Sequence, residues 1–64
     1  MKQLNYQEVC MRLASEKSFP AYVRDYDHKE WEETVIRGIE FSYGEPVYIT
    51  TDMGRKAYVG VKDE

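Results

Sequence analysis

A single cysteine, Cys10, is all this chain contains, so no internal disulfide can form and 64 residues must fold without that staple. Cysteine poverty of this kind fits an intracellular protein. There is also only one histidine, His28, and zinc sites draw on several His or Cys ligands, so no metal site is expected. The glycines, Gly38, Gly44, Gly54 and Gly60, stand apart from one another, which excludes a glycine-rich phosphate loop. No apolar run approaches the roughly 20 residues of a membrane helix, nor the core of a secretory signal, so a cytosolic protein with no membrane partner is expected. Basic residues are outnumbered nine to twelve, leaving a net charge of −3, which counts against broad nucleic-acid binding. No serine or threonine stands in a nucleophile motif, and nothing marks a cleft that would tune paired carboxylates. These absences point away from an enzyme and away from a cofactor.

What remains is one small domain over residues 1–64, with 42% hydrophobic and 33% charged residues. A chain this short buries little apolar area, so a homodimer or another partner would help to stabilise it. Asn5 and Glu8 form a capping-box pair, with Leu4 and Val9 placed as a hydrophobic staple. Tyr6, Val9, Cys10, Leu13 and Ala14 then share one helical stripe, which predicts a helix ending near Lys17 or Ser18, before Pro20. In that stripe Cys10 is expected as a small core residue.

The rest alternates with period two. Residues 21–26 read as a strand with Ala21 and Val23 on one side and Tyr22, Arg24 and Tyr26 on the other. Asp27 to Glu30 is a turn. Residues 31–43 carry both patterns: Trp31, Val35 and Ile39 at helical spacing, but a β-branched Thr34-Val35-Ile36 run and strand alternation from Ile39 to Tyr43. A long strand bulged or bent at Gly38 is the preferred reading, and a helix over 28–38 is the alternative. Gly44-Glu45-Pro46 reads as a turn into a hairpin. Its first strand holds Val47, Ile49 and Thr51 on an aliphatic face and Tyr48 and Thr50 opposite. Residues 52–56 form its turn, and the second strand holds Ala57, Val59 and Val61 against Tyr58 and Gly60. Asp63 and Glu64 read as a loose end. The expected fold is α+β: an N-terminal helix packed on a four-stranded antiparallel meander that can curl into an SH3-like barrel.

Six tyrosines are a high share, and the strand ones collect on the side away from the aliphatics. Tyr22, Arg24, Tyr26, Tyr48 and Tyr58, with Trp31 beside them, are the candidate binding residues, since tyrosine offers a large contact area with a polar tip. The competing reading is that these rings close the open side of a small barrel. Asp25, Asp27, Glu30, Glu32 and Glu33 crowd into nine residues, either as a solvated turn or as an acidic patch for a basic partner.

Three resemblances attach to particular residues. MKQLNYQEVCMRLAS, with Asn5-Tyr6-Gln7-Glu8, and the hairpin from Gly44 to Val61, whose motif spans Gly44 to Thr50, together resemble the Phd/YefM antitoxins, although Thr51 stands where that family usually has arginine. That likeness implies a DNA-binding regulator, with Arg55-Lys56 at the hairpin tip. Residues 21–61 resemble a Tudor or SH3-like meander, which implies a partner-binding barrel in which Tyr22, Tyr26 and Tyr48 face a cationic ligand. The overall plan is similar to small phage proteins, among them anti-defence sponges that sequester cyclic nucleotide signals. The expectation drawn from the whole is a non-enzymatic, cytoplasmic, phage- or prophage-encoded binding protein. It would inhibit or sequester a host protein or a small nucleotide-like ligand, with the antitoxin-type regulator as the alternative.

Overall fold

The computed structural model describes residues 1–62. Asp63 and Glu64, read above as a loose end, lie outside the described residues. One helix and six strands follow in the order β1 (Lys2–Leu4), α1 (Tyr6–Ser15), β2 (Phe19–Arg24), β3 (Glu32–Ser42), β4 (Glu45–Thr50), β5 (Arg55–Lys56) and β6 (Tyr58–Val61). The strands form one antiparallel sheet in the order β1-β6-β2-β3-β4-β5. The class is α+β, as expected, but the four-stranded meander is replaced by six strands in an open order with β1 and β5 at its edges.

The helix forms where the local signals put it. Asn5 Oδ1 accepts from the Glu8 backbone N–H at 2.9 Å, and Glu8 Oε1 accepts from the Asn5 backbone N–H at 3.2 Å. That second bond is the main reason the Glu8 carboxyl sits below its ordinary pKa. Both β1 and β2 run antiparallel to β6, which lies between them, so they are parallel to each other. Parallel strands need a crossover, and α1 is that crossover. Its buried stripe is narrower than the sequence suggests: Val9 is fully buried and Leu13 half-buried, while Tyr6, Cys10 and Ala14 are exposed. Cys10 is therefore a surface thiol and not a core residue. A ten-residue helix touching one side of a small sheet has no second layer to cover its flanks.

Residues 32–42 are strand throughout, so the helical alternative for 28–38 falls. The β3–β4 register shifts between Ile36 and Gly38, a bulge that leaves Arg37 as the extra residue. The bulge lets Ile36 and Ile39 face the same side although they are three residues apart. Their β4 partners, Thr50 and Tyr48, must then face inward as well. The expected faces of β4 are thus inverted: Tyr48 and Thr50 are buried against the core, and Val47 and Ile49 lie on the other side. Ile49 is nevertheless nearly covered, although it stands opposite Gly38, which offers no side chain.

The predicted turns also move. Ser42 pairs with Glu45, so the hairpin loop is Tyr43-Gly44, with φ of 52° and 81°. Two positive φ values are the signature of a tight hairpin turn matched to strand twist. At the next turn, buried Thr50 donates its hydroxyl to the Gly54 carbonyl and accepts the Met53 N–H. Thr34, also buried, donates to Asp52. The two threonines tie that turn to β3 and β4, and residues 55–56 then pair with β4.

The expected second hairpin strand does not pair with the first, and the end of the expected turn takes its place. Arg55–Lys56 pairs with β4, but Tyr58–Val61 leaves to lie between β1 and β2. In a flat sheet four strand spacings, about 19 Å, would separate β5 from β6. Only Ala57 connects them. The sheet must curl strongly, and Leu4, Val9, Phe19, Val23, Ile36, Tyr48 and Val59 fill the inside of the curl.

Candidate binding face

The outward side of β2 and β6 collects most of the residues singled out in the sequence. Because β2 alternates, Phe19, Ala21 and Val23 go inward and Tyr22 and Arg24 go outward. Tyr22 stands opposite Gly60, and Arg24 opposite Tyr58. The turn after β2 brings Trp31 back over Gly60. A methyl group on Gly60 would lie 3.0 Å from Trp31 Cη2 and 3.1 Å from the Lys2 carbonyl oxygen, so the missing side chain is what seats the indole.

Arg24 is the hub. Its guanidinium carbon lies 4.3 Å from the Tyr58 ring centre and 5.3 Å from that of Trp31, within cation–π range of both. Its Nη1 donates to the His28 carbonyl at 3.0 Å, which holds the turn against the strand. Tyr26 packs edge-on against Tyr58 at 5.3 Å and stays 67% exposed. Along the same face, Tyr22 donates its hydroxyl to Glu33 Oε2 at 3.2 Å, and Lys62 Nζ sits 5.8 Å from the Tyr22 ring centre. A shallow depression of about 410 Å³ follows, walled by Pro20, Tyr22, Val35 and Val61 with Glu33 and Lys62.

Tyr22, Arg24, Tyr26, Trp31 and Tyr58 are thus brought together. Tyr48 is not part of their face. It is 4% exposed, belongs to the core, and forms the floor of a cleft that Tyr26 and Tyr58 also line. Tyr22 and Tyr48 lie on opposite sides of the sheet, so the three-ring arrangement implied by the Tudor likeness does not form. Burial pushes the Tyr48 phenol above its ordinary pKa, with smaller contributions from Cys10 and Tyr26.

Gly60, already set beside Tyr58 by the sequence reading, completes the face with Glu33, Lys62, Pro20 and Val35, which were not among the candidates. Strand parity with Tyr22 would have named Pro20, and parity with Tyr58 would have named Lys62; Glu33 and Val35 join the face through the pairing of β2 with β3. The acidic run is partly consumed by structure. Asp25 Oδ2 accepts from Lys56 Nζ at 3.2 Å and lies 3.7 Å from His28 Nδ1, and Glu33 is held by Tyr22. At the presumed hairpin tip, Arg55 pairs with Glu40 at 2.9 Å and Lys56 with Asp25. No group of His, Cys, Asp and Glu suited to a metal occurs among the described residues, and no helix there is long and apolar enough to cross a membrane.

The fold and this face define an α+β chain with an aromatic–arginine cluster on the outer side of a curled sheet. Comparison with known proteins gives no match: no family model, no curated protein and no solved structure matches the chain.

Proposed function

We propose that this chain is a small non-enzymatic binding protein whose contact surface is the outer face of β2 and β6. Tyr22, Arg24, Tyr26, Trp31 and Tyr58 make the contact. In keeping with the phage likeness, the protein is phage- or prophage-encoded and acts in the host cytoplasm, where it inhibits or sequesters a host protein. A curled sheet of the SH3-like kind would serve as the rigid platform.

The observation that carries this reading is the Trp31–Arg24–Tyr58 stack. Tryptophan, tyrosine and arginine dominate the energetics of protein interfaces, and here the arginine is already locked between the two rings. A side chain held in place before contact loses less entropy on binding. Tyr26 stands exposed at the rim of the stack, and Glu33 and Lys62 give the far end both signs of charge.

The test is capture of a partner from bacterial lysate by the intact chain and by Tyr22→Ala, Trp31→Ala and Phe41→Ala. Phe41 is exposed but lies away from this face, so its variant is the control. Trp31→Ala should weaken capture by roughly 2 kcal/mol, about thirtyfold, with circular dichroism unchanged. Tyr22→Ala should weaken it less, and Phe41→Ala not at all. Equal capture by all four folded proteins would remove the face from consideration.

A further inference from the structure

The cleft floored by Tyr48 has its own chemistry. It opens between the start of α1, the start of β4 and the passage from β5 to β6, and it meets the Trp31 stack at Tyr58. Its volume is about 290 Å³, and its walls include Tyr6, Tyr26, Tyr48, Tyr58, Pro46 and Glu45. Four of the six tyrosines of the chain converge there from four separate elements or their flanks.

Charge selects the class of occupant. Glu45 is the only charged residue in the lining; no lysine or arginine contributes to it. A phosphate or carboxylate would therefore enter without a cationic partner in the lining, next to a carboxylate and among tyrosine rings. A hard metal ion would want several oxygen ligands, and one carboxylate does not supply them. A soft organic cation fits both features, since its charge is attracted by ring faces and its alkyl surface by apolar walls. Tyr58 already holds one delocalised cation, the Arg24 guanidinium.

We propose that this cleft binds a small quaternary ammonium group, with Tyr6, Tyr26, Tyr48 and Tyr58 as the walls and Glu45 as the counter-charge. The cleft shares Tyr26 and Tyr58 with the outer face, whereas Tyr22 and Trp31 take no part in its lining. Tyr26 and Glu45 are both exposed, so each can be replaced without opening the core.

The experiment is a titration of the intact chain with choline and with its uncharged tert-butyl isostere, followed by the aromatic proton resonances. Choline should shift the Tyr6 and Tyr26 ring signals saturably, and the isostere should bind about tenfold more weakly, because it matches the shape but lacks the charge. Glu45→Gln and Tyr26→Ala should each weaken choline binding several-fold, whereas Tyr22→Ala should leave it unchanged. Equal binding of the isostere, or no saturable shift with choline at tens of millimolar, would overturn the proposal. Because Tyr22 serves only the outer face and Glu45 only the cleft, failure of one site is read separately from failure of the other.

Discussion

Tyr48 shows how a single side chain can be decided by its neighbour across the sheet. Taken alone, its phenol favours the wet side of a strand and the flanking Val47 and Ile49 favour the dry side. Pairing with Ile39 reverses that preference, and the ring is buried to 4% exposure. The cost appears as a raised pKa, because the phenolate cannot be solvated in that position. A folded-state pKa above the unfolded value means that the stability contributed by neutral Tyr48 is fully present below the ordinary tyrosine value of 10.0. It is lost as pH rises through the folded-state value. Urea unfolding measured from neutral pH into the alkaline range should therefore show stability falling with pH, and Tyr48→Phe should fall less steeply over the same window. Parallel slopes for the two proteins would mean that the phenol stays hydrated in the fold. Tyr43 is the opposite case: fully exposed, at φ 52°, it occupies a turn position that asparagine or glycine would fill with less strain.

Individual elements were legible in the sequence to the extent that their causes are local. The cap of α1 rests on residues three apart, and the structure contains both of its reciprocal bonds. The alternation of β2 and the bulge near Gly38 were likewise readable from composition and spacing. What was not readable is pairing. The inversion of β4 follows from the extra residue at Arg37, and β5 and β6 part because residues 55–56 pair with β4 while residues 58–60 pair with β2. Five of the six proposed binding residues share a face because β2 and β6 kept their expected sides; Tyr48 left it because β4 did not. The strand glycines separate the same two kinds of information. A methyl on Gly38 would meet only Ile49, at an ordinary 3.8 Å, so Gly38→Ala should change stability by no more than about 0.5 kcal/mol. On Gly60 it would press on the Trp31 ring and on the backbone of β1, which cannot swing aside as a flexible side chain would. Gly60→Ala should cost about 1–3 kcal/mol in urea unfolding and shift the Trp31 fluorescence as the indole is displaced. Similar losses for both variants would contradict the close approach at Gly60.

Across the whole molecule, the sheet is held in its curl by the packed core and by connections that run from β5 to β6 and to the end of β2. Ala57 is the covalent one. The noncovalent counterpart is the Lys56–Asp25 ion pair, which joins β5 at one edge of the strand order to the end of β2 in its interior. Lys56 is unusual among the charged residues here in having its side chain only 17% exposed, while Asp25 retains 36%. Partial burial lifts this pair above a typical surface contact, yet solvent at Asp25 still screens it, so a coupling energy of about 0.5–1 kcal/mol is the reasonable scale. A double-mutant cycle with Lys56→Met and Asp25→Asn should return that coupling in urea unfolding at low salt, and a smaller value at high salt. The Arg55–Glu40 pair provides the comparison. It is shorter, at 2.9 Å, but both side chains are more than half exposed and both lie on the β3–β4–β5 side of the curl. Its cycle should yield less coupling despite the shorter distance. If it yields more, the ends of the sheet are held together by core packing around Tyr48 and Val59 alone, and the Lys56 contact is incidental to the curl.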